Sequence, residues 1–319
     1  MNKIKAGVVG IGRMGEYHTR IYAELLDVEL KAIVDIYPEK AKNFEKMYQT
    51  EHYINYQDIF GKVDLVSISV PTSLHYKITK DFLNQGIHVL LEKPITTNYE
   101  EAKELFSLAK EKSLVLHIGH VERFNGAVQE LEKIVENPIL IESRRLGPYA
   151  RKEYDTGVVL DLLIHDIDII LNLVKSPIKK ISAIDVKNNN SFEDAISVQI
   201  LFENNCIANL IASRITEEKV RTLSITQKNA YIILDYTEQN LQIHRSARQE
   251  YFIQKEEILY KQESIIEKIF VHKDNPLKLE IINFIKAATS KPALINNDQT
   301  ELQSLKIALN ILEIINEIS

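Results

Sequence analysis

Three glycines near the start constrain this chain more than any other feature. Gly10-Ile11-Gly12-Arg13-Met14-Gly15 follows directly on the apolar run Ile4 to Val9 and opens a stretch with helical spacing. In that setting each glycine has its own steric reason. The first permits a tight turn, the second lets the backbone approach a pyrophosphate, and the third lets helix and strand pack closely, while the helix N-terminus offers N–H donors without intrahelical partners. Asp35 ends the next apolar run 20 residues after Gly15, where a carboxylate accepts hydrogen bonds from an adenosine ribose. Residues 10 to 15 and Asp35 together predict a dinucleotide site. The charge of Asp35 repels a 2′-phosphate, and Ile36 and Tyr37 bring no arginine to neutralise it, so NAD is expected rather than NADP.

The first 120 residues alternate short apolar runs with helical patterns, the signature of βαβ units around a parallel sheet. Strands are expected at Ile4 to Val9, Glu29 to Val34, Leu65 to Val70, Val89 to Leu91 and Leu114 to Ile118. Helices are expected at Met14 to Leu26, Glu39 to Tyr48, Ser73 to Gln85 and Tyr99 to Lys112, with Gly86 as a C-terminal glycine and Asn98 as an N-cap. Beyond Glu122 a helix (Asn125 to Glu136), a strand (Ile139 to Arg145), a Gly147-Pro148 break and a helix (Val158 to Val174) follow. Strand-like runs separated by polar turns then occupy Ile181 to about Ile253, as in an antiparallel sheet. Two helical stretches, Leu277 to Thr289 and Gln299 to Ile318, close the chain, and their spacing predicts core packing. A chain of 319 residues accommodates two domains at roughly 100 to 200 residues each. The expected division is an α/β Rossmann domain over 1–120 and an α+β domain with a large, mostly antiparallel sheet over 121–319.

Composition excludes several classes of partner. With 39 Lys plus Arg against 45 Asp plus Glu, the formal charge of -6 disfavours a general nucleic-acid or anionic-membrane surface. The longest apolar stretch, Val158 to Val174, carries Asp161, His165, Asp166 and Asp168, too many charges for a membrane span. Cys206, the lone cysteine, excludes an intramolecular disulfide, a Cys-rich zinc site and a CxxC redox pair, and is expected in a buried strand. The opening MNKIKAGVVGIG lacks the apolar region of a signal peptide, so reducing cytoplasm is the expected compartment. No metal is expected, since Asp161 and His165 supply two ligands where a tetrahedral site needs more.

Three segments in order carry a family resemblance: the glycine motif; Val70-Pro71-Thr72-Ser73-Leu74-His75 with Leu91-Glu92-Lys93-Pro94-Ile95; and Asp161-Leu162-Leu163-Ile164-His165-Asp166-Ile167-Asp168. Together they resemble the Gfo/Idh/MocA oxidoreductases over essentially the whole chain. The resemblance implies an NAD(P) nicotinamide between the two domains, with Val70, Pro71, Thr72, His75, Glu92 and Lys93 on the cofactor side. It also implies an open sheet face used for assembly, here as a homodimer or homotetramer. Carried over position by position, it makes His165 the general acid/base, Lys93 the group that orients and polarises a substrate hydroxyl, and Asp161 its electrostatic support. The chemistry is consistent with this. Oxidising a secondary alcohol by hydride transfer requires removal of the hydroxyl proton, and histidine titrates near neutrality. On a regular helix Asp161, His165 and Asp168 fall at i, i+4 and i+7 on one face, with Asp166 pointing elsewhere. The Lys93–Pro94 bond is commonly cis in the family, whereas X–Pro bonds in general are mostly trans.

Substrate class is carried by less general segments. Gly119-His120-Val121-Glu122-Arg123-Phe124-Asn125 and Ser143-Arg144-Arg145-Leu146-Gly147-Pro148-Tyr149 resemble those of UDP-N-acetylglucosamine 3-dehydrogenases. That implies oxidation of a sugar C3 hydroxyl to a ketone, with His120, Arg123, Arg144, Arg145, Tyr149 and Tyr154 joining Lys93, Asp161 and His165 around the substrate. Guanidinium forks suit diphosphate oxygens, but adjacent strand residues face opposite ways, so at most one of Arg144 and Arg145 is expected to meet them. Arg151 and Lys152 are further cations nearby, and His120 and Arg123 serve equally as nicotinamide contacts or interdomain packing. A free sugar or a cyclitol such as inositol is the alternative substrate, and a noncatalytic dinucleotide sensor the alternative class.

Overall fold

Strands β1 (Ile4–Val9), β2 (Val28–Val34), β3 (Glu51–Tyr53), β4 (Leu65–Ile68), β5 (His88–Leu91) and β6 (Leu116–Ile118) form one parallel sheet in the order β3-β2-β1-β4-β5-β6. The computed structural model describes residues 3–149, 155–188, 191–254, 257–290 and 298–318, with the side chains of 246–254, 257–264 and 318 outside that description. Helices α1 (Arg13–Glu24), α2 (Pro38–Tyr48), α3 (His75–Asn84) and α4 (Tyr99–Glu111) make the crossovers. This is the doubly wound order, whose ligand crevice opens at the reversal between β1 and β4. The central strand β4 is buried at every position, as a sheet covered on both faces requires. Five strands were expected and six are present: β3 is three residues long, sits at the edge and begins at an exposed Glu51, so it has no apolar alternation to betray it.

Helix ends follow the expected chemistry. The Asn98 side chain accepts from the N–H groups of Glu100 and Glu101. Gly86 has φ +76°, its N–H donates to Leu83 O and that of Ile87 to Phe82 O, the paired bonds of a Schellman ending.

The second unit is built on α5 (Gly126–Ile134), β7 (Leu140–Leu146), α6 (Ile164–Val174), β8 (Ile178–Val186), β9 (Ala195–Phe202), β10 (Ile207–Ser213), β11 (Val220–Gln227), β12 (Ala230–Asp235), β13 (Asn240–Gln254) and β14 (Glu257–Ile269). Its eight strands run β14-β13-β12-β11-β7-β10-β9-β8, antiparallel throughout except for β7 beside β10. The sheet therefore continues to Ile269, beyond the expected limit near Ile253. Its strands alternate by face: Ile196, Val198 and Ile200 are buried while Ser197 and Gln199 are exposed. Cys206 is buried as expected but sits in the turn just before β10 instead of within a strand, and burial pushes its thiol up to about 11.

A single cut after residue 120 does not describe the units. The first comprises Met1–Val121, Glu153–Thr156 and Asn275–Leu309, the second Glu122–Lys152, Gly157–Asp274 and Asn310–Ser319. The reason is hydrophobic: α7 (Pro276–Thr289) puts Leu277, Ile281 and Phe284 into one buried cluster with Ala6, Val8 and Leu30. Helix α8 (Asp298–Ile318) closes the chain. Among the described residues no helix is long and apolar enough to cross a membrane.

Candidate active site

The glycine turn has the shape its sequence predicts. Gly10 has φ +82°, and a Cβ there would lie 2.7 Å from Ser69 O; a Cβ at Gly15 would lie 1.8 Å from Gly10 O. Both positions are closed by the protein's own backbone. At Gly12 a Cβ would meet nothing within 4 Å, so the second glycine borders open space at the start of α1. That is the cradle a pyrophosphate fills, and the residues present fit a dinucleotide. Asp35 Oδ2 accepts from Ile11 N–H (2.9 Å) and Oδ1 from Tyr37 N–H (2.9 Å), which aims the carboxylate while leaving lone pairs for a ribose diol. Ile11 is fully buried, so only its backbone is available to a ligand; Arg13 is exposed and Met14 half-buried.

Lys93 is half-buried just past the end of β5, and its bond to Pro94 is cis. The residues around it point inward. Glu92 is buried, and its carboxylate lies 2.9 Å from His18 Nε2 on α1. Burial alone would push that carboxyl up, but the His18 hydrogen bond and the charges of His18, Lys93 and His75 outweigh it and hold it below the ordinary glutamate value. His75 is 1% exposed, with Nδ1 at 2.8 Å from Pro94 O and Nε2 at 2.9 Å from Val70 O. Burial lowers its pKa against the pull of those two carbonyls. Glu92 and His75, expected on the cofactor side, thus each also hold a partner within the fold. Val70 is half-buried and Pro71 exposed, and the buried Thr72 donates its N–H to Asp155 Oδ2 at 2.7 Å.

In the second unit His165 lies in the first turn of α6 and is 9% exposed. The residues before it, Val159–Leu163, form a π-turn, so the half-buried Asp161 does not have the i, i+4 phase of the regular helix on which a shared face was expected. Short π-turns of this kind are frequent at functional sites. Fixed ion pairs flank the histidine. Asp166 receives Arg145 Nε (2.7 Å) and Nη2 (3.0 Å), while Arg145 Nη1 reaches Glu122 at 2.9 Å and the guanidinium lies 4.8 Å from the Tyr236 ring centroid. Asp168 receives Arg123 Nε at 2.7 Å.

These pairs bear on two expectations. Arg145 is 1% exposed, and although burial opposes its charge, Asp166 and Glu122 raise its pKa; it is an internal cation, not a diphosphate ligand. Arg123 commits its fork to Asp168. Arg144, facing the other way as expected, is exposed, as is Tyr149. His120 is 2% exposed and pairs with Glu301 at 3.1 Å. Tyr154, Arg151 and Lys152 lie outside the described residues. Sequence reading missed His18, Asp155 and Glu301. Of these only His18 left a signal, since it follows Gly15 by three and precedes Tyr22 by four on the buried face of α1.

Family models match both parts of the chain: the oxidoreductase family with NAD-binding Rossmann fold over residues 4–120, and the GFO/IDH/MocA C-terminal domain over 122–233. A UDP-N-acetylglucosamine 3-dehydrogenase of Acidithiobacillus ferrooxidans is 32% identical over 249 residues, 77% of this chain and 79% of that one. The chain belongs to the Gfo/Idh/MocA oxidoreductase family. Within this family, the solved structure of the Acidithiobacillus ferrooxidans enzyme matches with a TM-score of 0.87 at 28% identity over 99% of both chains. Inositol 2-dehydrogenase of Salmonella typhimurium is a more distant relative, 26% identical over 56% of each chain. A scyllo-inositol dehydrogenase from Lactobacillus casei, solved with NAD(H) and scyllo-inositol, shares the fold with a TM-score of 0.79 at 20% identity, covering 99% of this chain and 98% of that one.

Proposed function

We propose that this Gfo/Idh/MocA oxidoreductase is an NAD-dependent dehydrogenase that oxidises the C3 hydroxyl of UDP-N-acetylglucosamine to a ketone. The reading is carried by the 32% identity to the Acidithiobacillus ferrooxidans 3-dehydrogenase over most of both chains, and it is supported by the segments around His120 and Arg144. NAD, held at Gly12 and Asp35, supplies the acceptor for the hydride that leaves the carbon. His165 takes the hydroxyl proton. The Lys93 ammonium donates to the same oxygen and steadies the negative charge that grows there as the proton departs. Asp161 supports that charge arrangement from the π-turn. Arg144 and Tyr149, both exposed, are the remaining described candidates for the diphosphate end. Asp35 favours NAD over NADP by repelling a 2′-phosphate. Assembly through the open sheet face as a homodimer or homotetramer, in the cytoplasm, belongs to the same reading.

The inositol dehydrogenase relatives favour a second reading, oxidation of a free cyclitol. Following NADH formation by its near-ultraviolet absorbance separates the two. UDP-N-acetylglucosamine should support turnover that myo-inositol and free N-acetylglucosamine do not; turnover on inositol alone would replace the proposal with the cyclitol reading.

A further inference from the structure

Lys93 carries the proposed chemistry, and it lies past the end of a four-residue strand, directly before Pro94. Two buried histidines from different helices grip the residues on either side of it. From α1, His18 (0% exposed) places Nε2 2.9 Å from the Glu92 carboxylate and Nδ1 3.0 Å from Ser67 Oγ on β4, and Ser67 is held in turn by Tyr22 OH at 2.9 Å. From α3, His75 (1% exposed) places Nδ1 2.8 Å from Pro94 O and Nε2 2.9 Å from Val70 O. Gly119 closes the remaining side, since a Cβ there would sit 3.2 Å from the Glu92 carboxyl carbon. The backbone of Glu92 is tied as well, through its N–H to Ile68 O at 2.9 Å.

We infer that His18 and His75 are positioning residues: together they clamp Glu92 and Pro94 and thereby fix the direction of the Lys93 ammonium between them. The clamp connects that ammonium to both walls of the cofactor site, because α1 is the helix opened by the glycine turn and Val70 is the exit of β4. Neither histidine is accessible for contact with substrate; His18 engages both ring nitrogens, whereas neutral His75, with one N–H between two carbonyls, donates to one of them. The inference rests on the reading of Lys93 as the group that meets the substrate hydroxyl.

The two nitrogens of each ring make separable predictions. A glutamine places an amide near imidazole Nε2 and an asparagine places one near Nδ1. His18→Gln keeps the Glu92 contact and His18→Asn keeps only that to Ser67; His75→Asn keeps the Pro94 contact and His75→Gln keeps only that to Val70. His18→Gln and His75→Asn should therefore retain most of kcat. His18→Asn and His75→Gln should lose roughly 10- to 100-fold in kcat, the scale of a displaced catalytic group, with NADH affinity by fluorescence titration unchanged. The clamp is overturned if the two amides at either position behave alike, or if the losses fall on NADH affinity instead. Lys93→Ala is the separate check on the underlying reading: if it turns over normally, the role of Lys93 fails and the clamp is then judged by amine labelling alone. That second measurement needs no substrate. Trinitrobenzenesulfonate labelling of Lys93, followed by peptide mapping of the folded protein, should change in rate in His18→Asn and His75→Gln but not in their partners. Equal labelling in all four variants overturns the clamp whatever the substrate proves to be.

Discussion

The two units bury charge in different chemical forms. In the first, buried carboxylates meet imidazoles: His18 with Glu92, His117 with Glu280 and His120 with Glu301. In the second they meet guanidiniums: Arg145 with Asp166 and with the partly buried Glu122, Arg123 with Asp168, and Arg214 with Asp194. An imidazole can exchange a proton near neutrality, whereas a guanidinium keeps its charge at any pH a folded protein meets. The nucleotide half thus pairs its buried carboxylates with imidazoles. The sheet half is held by permanent charges, and two of them, Arg123 and Arg145, pair with Asp168 and Asp166 on the helix that carries His165.

The strongest way to break that contrast is to remove the central guanidinium. Arg145→Met leaves the buried Asp166, and with it the partly buried Glu122, without compensation and should cost about 3–5 kcal/mol of stability in urea unfolding; a loss near that of an exposed ion pair would show that the cluster is not structural. A glycine pair sharpens the picture of the first unit. Gly15→Ala, with its Cβ at 1.8 Å from Gly10 O, should destabilise the unit and abolish NADH binding together. Gly12→Ala, whose Cβ enters open space, should leave unfolding within about 0.5 kcal/mol of the parent while weakening NADH binding.

Titration separates the halves next. Because His75 has its pKa depressed by burial, its folding contribution is complete above the unfolded imidazole value of about 6.5 and is lost as pH falls through the lower folded value. Native-state hydrogen exchange should show α3 and β5 losing protection between neutral and mildly acidic pH before β7 and β10 do; simultaneous loss would erase the distinction. The smallest effect is expected at Glu280, whose carboxyl is raised by burial and whose Oε2 has no hydrogen-bond partner among the described residues. A raised carboxyl stabilises the fold below its unfolded pKa and loses that contribution as pH rises through the folded value. Glu280→Gln should accordingly gain stability relative to the parent as pH rises, read as a Tm difference that widens from acid to neutral; a constant difference would mean the carboxyl does not titrate there.

The sequence made the first sheet legible because its signals are local: Gly10, Gly12, Gly15, Asp35, Gly86 and Asn98 each act within a turn or a helix end, and each is where it was expected. What stayed hidden depends on partners distant in sequence. Nothing local distinguishes Arg145, locked to Asp166 and Glu122, from Arg144 beside it, beyond the fact that they face opposite ways. The return of α7 to the first core is likewise set by which apolar surface is vacant, and the π-turn before His165 by packing instead of by residue type. His75 shows the limit most clearly, since its place in a cofactor-side motif gave no hint that its ring would lie between two backbone carbonyls.

The proposed reaction is tested most directly by the mass of the NADH formed from UDP-N-acetylglucosamine carrying deuterium at C3. Transfer from that carbon predicts that the reduced cofactor gains the deuterium and that turnover slows relative to unlabelled substrate. Unlabelled NADH would place oxidation at another carbon, and no NADH at all from this sugar would contradict the assignment.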